Sequence, residues 1–145
     1  MSRAARFILN LFVYLAIVGG LIFGLPRLLT WALKTPYPMA AITSGSMWPV
    51  LNEGDLVFIQ GGLAPEEIAP GDIIVWRGSD GRGFTIHRVA RINGSQIITK
   101  GDANFNEDQP IEFDQVVGRA LTFRDRPVHI PYLGSITVLA SNWQQ

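Results

Sequence analysis

Serine and histidine, two residue types that together carry out nucleophilic chemistry, occur in restricted places in this 145-residue chain. Ser44-Gly45-Ser46-Met47-Trp48-Pro49 sets two hydroxyls around one glycine, and the chain has only two histidines, His87 and His129. A serine hydroxyl attacks a carbonyl only when a base takes its proton. Gly45 permits a sharp bend that would present Ser46, and Pro49 fixes φ soon afterwards. His87 lies in Phe84-Thr85-Ile86-His87-Arg88-Val89, a strand-like run that would hold an imidazole rigidly, whereas His129 sits between prolines near the end of the domain. An imidazole base also needs a group to hold its tautomer, and a carboxylate commonly does so. Asp102 and Asp108, within Thr99-Lys100-Gly101-Asp102-Ala103-Asn104-Phe105-Asn106-Glu107-Asp108, are the candidates, and the residues alone do not choose between them. Taken singly, each feature has a commoner structural explanation: a polar turn, a satisfied strand histidine, a solvated acidic loop.

Other chemistries are poorly provided for. With no cysteine there is no thiol nucleophile, disulfide framework or thiolate zinc site. Asp102, Asn104, Asn106 and Asp108 alternate as calcium ligands do, but the central glycine and terminal glutamate of an EF-hand loop are missing, so no metal and no cofactor are expected. Lys34 and Lys100 are not placed to serve Ser46 as a base. Twelve basic residues balance twelve acidic ones with no basic run, which argues against nucleic acid as a partner.

These side chains need a scaffold, and the chain divides into an anchor and a β domain. From Phe7 to Leu25 it is almost wholly apolar, a length of ~28 Å as a helix, close to the thickness of a bilayer's hydrocarbon core. An apolar continuation runs to Leu33. No small-residue cleavage site follows, so a retained transmembrane helix is expected rather than a removable signal. Residues 1–34 form this anchor, with Trp31, Lys34 and Tyr37 near the interface. Arg3 and Arg6 before the helix mildly favour a cytoplasmic N-terminus and an extracytoplasmic domain. Residues 35–38, with two prolines, make a short stiff joint.

Residues 39–145 read as one mainly β domain. Short β-branched and aromatic runs predict strands at Met39–Thr43, Asp55–Gln60, Asp72–Arg77, Phe84–Ile92, Gln96–Thr99, Val116–Phe123 and Ser135–Leu139. Asn93-Gly94-Ser95 and Ser79–Gly83 are turn signals, and Pro65–Ile68 reads as a short helical turn.

In order along the chain, the anchor, Ser44-Gly45-Ser46-Met47-Trp48-Pro49, Gly54-Asp55, Pro70-Gly71-Asp72-Ile73-Ile74, Ile86-His87-Arg88-Val89, Thr99-Lys100-Gly101-Asp102, Asp108, Val116-Val117-Gly118-Arg119-Ala120 and Pro131-Tyr132-Leu133-Gly134 resemble the signal peptidase I family, in its archaeal and endoplasmic-reticulum type. The resemblance implies a compact, β-barrel-like catalytic domain on one transmembrane helix. It implies Ser46 as nucleophile with its own N–H stabilising the oxyanion, Ser44 as a secondary oxyanion donor, and His87 where bacterial enzymes carry lysine. Asp108 matches the triad carboxylate and Asp102 a second functional acid. The sequence departs from the family after Asp102, where Ala103 shifts the usual asparagine and Gln109-Pro110 replaces an arginine-bearing continuation, which leaves the choice of aspartate open.

The implied activity is a membrane-bound serine endopeptidase that removes signal peptides from exported preproteins. It would be single-pass in the cell membrane, or in the endoplasmic-reticulum membrane of a eukaryote, with accessory subunits unspecified. Ile42, Met47, Val75 and Ile86 are candidates to wall substrate pockets, and ordinary packing is the expectation for Trp48. Two other classes compete: an anchored β domain that binds substrates or a translocation partner without catalysis, and a self-cleaving regulatory protease. The second is disfavoured by the missing lysine and DNA-binding module.

Overall fold

The computed structural model describes residues 2–78 and 83–135. A helix runs from α1 (Arg3–Gly19) through a π-helical segment (Gly20–Gly24) into α2 (Leu25–Ala32), and Ser2 caps its start by accepting the Ala5 N–H. This 30-residue helix is long and apolar enough to cross a membrane, and none of its residues is buried among the described residues. It begins before the expected Phe7 and ends at Ala32, within the expected apolar continuation to Leu33, reaching ~45 Å. Pro26 does not stop it, because the wide turn just before it absorbs the missing N–H and the ring's clash with the preceding turn.

The β domain holds β1 (Met39–Ala41), β2 (Leu56–Gln60), β3 (Ile73–Arg77), β4 (Phe84–Asn93), β5 (Gln96–Lys100), β6 (Ile111–Glu112), β7 (Val116–Ala120), β8 (Thr122–Phe123), β9 (Arg126–Pro127) and β10 (His129–Ile130). Among the described residues, eight of them form one antiparallel sheet in the order β1-β2-β7-β3-β4-β5-β6, with β10 beside β2. The mainly β expectation holds, and among the described residues the sheet does not close into a barrel: β1 and β6 end its path without meeting. The run Val116–Phe123 divides into β7 and β8, and among the described residues β8 pairs with β9 alone, across Arg124 and Asp125, both at positive φ. That hairpin was hard to foresee, since its turn contains no glycine or asparagine. The Asn93-Gly94-Ser95 turn joins β4 to β5, with Gly94 at φ 60°. The predicted Ser79–Gly83 turn and the Ser135–Leu139 strand fall largely outside the described residues.

Alternation along β3 builds two cores. Ile73 and Val75 join Ile42, Met47, Leu51, Val57 and Ile59 on one side, while Ile74 joins Val89, Ile97 and Ile111 on the other. The anchor meets this domain at its joint: the Gly61 N–H donates to Leu33 O at 2.8 Å, and Thr35 is buried. Gly61 must be glycine there, because a Cβ would lie 2.7 Å from Lys34 O.

Candidate active site

The serine turn is a single 3-10 turn, Gly45–Met47, leaving β1. Met47 pins it: its side chain is fully buried in the first core, and its carbonyl accepts the N–H groups of Val50 and Leu51 at 3.0 Å. Ser46 O accepts the Ala103 N–H at 2.9 Å, which fastens the turn to the loop after β5. The close approach is made by Gly101, where a Cβ would sit 2.7 Å from Ser46 O. Gly45, expected to be the conformationally demanding residue, has no positive φ and a Cβ there would meet nothing within 4 Å.

His87 is brought to this turn by the middle of β4, opposite Ile74, and is only 8% exposed. Its Nε2 lies 3.1 Å from Ser46 Oγ and its Nδ1 lies 2.6 Å from Asp108 Oδ2. Thr99 of β5 pairs with Val89 and shares its face, and its hydroxyl donates to the same Asp108 oxygen at 2.6 Å. An ionised carboxylate only accepts, so Nδ1 carries the proton and Nε2 presents a lone pair to Ser46. Ser46 spends its one hydroxyl proton on Nε2. The Ser44 hydroxyl, 3.2 Å from Ser46 Oγ, is then the donor of that pair.

Asp102 is turned elsewhere. The Arg88 guanidinium grips it in a fork, Nε to Oδ1 at 2.8 Å and Nη2 to Oδ2 at 2.7 Å, and also donates to Gly71 O. The hydrogen bonding to Asp102, opposed by partial burial and helped by the Asp102 charge, holds the Arg88 guanidinium above arginine's ordinary range. Arg91 pairs with Glu107 farther along. The loop from Asp102 to Asp108 is thus fastened to β4 by both arginines. His129, the other histidine, faces Asp55 and Pro127 O instead.

A groove of about 160 Å³ runs along β1 and the start of β4 to the serine, lined by Ile42, Thr43, Val75, Ile86, Ser46 and His87 among others. Three of the four candidate pocket residues face it; Met47 belongs to the core beneath the turn. A wider apolar cavity of about 400 Å³ adjoins it between Tyr37, Met39, Phe84 and Val117. Trp48, for which packing was expected, is 61% exposed, because the turn closes through backbone bonds and Met47 rather than through the indole.

Thr99, Gly101 and Arg88 were not assigned roles from sequence. Thr99 and Gly101 lie in the Thr99-Lys100-Gly101-Asp102 motif, so the signal was present, but only register with β4 reveals what they touch.

No protein-family model matches the chain. It is 28% identical to signal peptidase complex catalytic subunit sec11 of Sclerotinia sclerotiorum, over 96% of this chain and 82% of that protein. It is also 28% identical to subunit SEC11 of Fusarium vanettenii, over 74% of this chain and 66% of the relative. To subunit SEC11C of Homo sapiens it is 32% identical, over 73% of this chain and 58% of the relative. The chain therefore spans less than two thirds of the length of some of these relatives and more of others. With 28–32% identity over most of its length, the chain is a homologue of the signal peptidase complex catalytic subunits, the endoplasmic-reticulum type of the signal peptidase I family.

Proposed function

We propose that this protein is a membrane-anchored serine endopeptidase that releases exported preproteins from their signal peptides. The observation that carries the reading is the unbroken line from Ser46 Oγ through His87 to Asp108, with contacts of 3.1 and 2.6 Å, at the end of a groove between two strand edges. In this mechanism Nε2 of His87 takes the Ser46 proton as Oγ attacks the scissile carbonyl. Asp108 holds the imidazolium, and His87 then protonates the leaving amine. The Ser46 N–H and the Ser44 hydroxyl are the donors available to the oxyanion. Water, deprotonated by His87, completes hydrolysis of the acyl-enzyme. Asp102 works through Arg88 by bracing the loop that presents Asp108.

The groove's small volume suits small side chains before the cleaved bond, and its exposed edges suit an extended peptide. Residues 1–34 anchor the chain, 35–38 form the joint and 39–145 the catalytic domain, which faces the extracytoplasmic side. The homologues are named as subunits of a complex, which supports accessory subunits beside the preprotein and the bilayer as partners.

The test uses purified full-length protein and a signal-bearing preprotein. Ser46→Ala and His87→Ala should each abolish cleavage, and an acylating inhibitor should label Ser46. Cleavage by both variants at the parent rate would overturn this mechanism, whereas a parent that neither cleaves nor is labelled would favour a non-catalytic binding domain.

A further inference from the structure

We infer that Thr99 is a positioning residue of the catalytic line, the group that aims Asp108 at His87. The inference rests on the Ser46–His87–Asp108 reading and extends it by one member. Thr99 and Asp108 are joined twice. The Asp108 N–H donates to Thr99 O at 2.8 Å, and the Thr99 hydroxyl donates to Asp108 Oδ2 at 2.6 Å. The first bond fixes the main chain of Asp108, and the second fixes its side chain. Both are needed because Asp108 begins a stretch with little other support: Gln109 and Pro110 are exposed, and pairing resumes only at Ile111.

The choice of oxygen carries the argument. Thr99 donates to Oδ2, the atom that also accepts the His87 Nδ1 proton, so the hydroxyl defines where that oxygen sits. The Thr99 side chain is fully buried, in a strand where Ile97 and Ile98 precede it. A valine would satisfy strand preference and volume there equally well, and without the polar group that must find a partner. The hydroxyl therefore has a purpose that packing does not supply. Without it the carboxylate is free to rotate about its own bonds. The imidazole then loses both its fixed tautomer and its orientation toward Ser46.

The experiment compares Thr99→Val, Thr99→Ser and Ser46→Ala in the full chain, reading steady-state cleavage of a signal-bearing preprotein together with thermal unfolding. Thr99→Val should lower kcat about tenfold or more, the loss of one hydrogen bond to a charged group, while KM stays within about twofold. Thr99→Ser, which keeps the hydroxyl, should restore most of the rate. The inference is overturned if Thr99→Val keeps the parent kcat, or if Thr99→Ser is as slow as Thr99→Val, since the methyl group would then be what matters. Should Thr99→Val not fold, Thr99→Ala replaces it in the comparison with the serine variant, under the same criteria. Ser46→Ala separates the two levels: a dead Ser46→Ala beside an unaffected Thr99→Val removes only the role of Thr99. An active Ser46→Ala removes the catalytic reading and this inference with it.

Discussion

At the scale of single residues, the two aspartates that the sequence could not rank take different partners, and their substitutions should separate accordingly. Asp108→Asn replaces an acceptor at His87 Nδ1 with a group that favours the wrong tautomer, so kcat should fall by about a thousandfold or more with folding stability little changed. Asp102→Asn breaks the fork to Arg88, which is partly solvated, and should cost about 1 kcal/mol of stability by thermal unfolding. It should lower the rate far less than Asp108→Asn. The pH dependence of this second effect has a definite sign. Arg88 is raised above its ordinary value in the folded chain, so its share of the stabilisation is complete below the unfolded value and is lost only as pH rises through the folded one. Both lie beyond the usable alkaline range. The difference in Tm between the parent and Asp102→Asn should therefore stay constant from about pH 7 to 10, and a difference that shrinks over that interval would contradict the assignment.

At the scale of elements, the serine turn and the loop after β5 act as one unit because Ala103 and Gly101 lie against Ser46 O. Gly101→Ala puts a Cβ into that contact, so the turn and loop must separate. We expect a loss of about 1–3 kcal/mol and a rate loss larger than the stability loss explains. Gly45→Ala meets open space and should leave the melting temperature unchanged. The same turn gives a second contrast. Met47→Ala should cost about 2–5 kcal/mol because Met47 is fully buried, whereas Trp48→Ala should change stability by less than about 0.5 kcal/mol. Chemical denaturation of the two variants checks both values. Equal costs would mean that the indole closes the turn as much as the thioether does.

At the scale of the whole molecule, the helix and the β domain meet among the described residues through the joint: Leu33 O on Gly61, the buried Thr35 and Pro38 O on Ile59. The helix contributes no buried residue to the domain's cores. A chain beginning at Leu33 should therefore keep its cooperative unfolding transition and its labelling by an acylating inhibitor. It should also lose co-flotation with lipid vesicles. Loss of the transition would show that the helix supports the fold as well as the anchorage.

Much of this was legible in the sequence, for a physical reason. Hydropathy over a long window specifies a membrane-length helix, period-two alternation specifies strands, and the serine and histidine types nominate a nucleophile and a base, all of which are local properties. The helix, the strands up to β5 and the candidates Ser46 and His87 followed from them. What depended on register and through-space contact did not. The open edge of the sheet, the glycine-free hairpin between β8 and β9, the fully buried Met47 and the solvent-exposed Trp48 are decided by how distant segments pack. The same holds for the assignment of Asp108 to His87 and Asp102 to Arg88. Two carboxylates six positions apart in one loop carry identical chemistry, and only the antiparallel pairing of β4 with β5, which sets Thr99 beside Val89 and Lys100 beside Arg88, determines which of them reaches the imidazole.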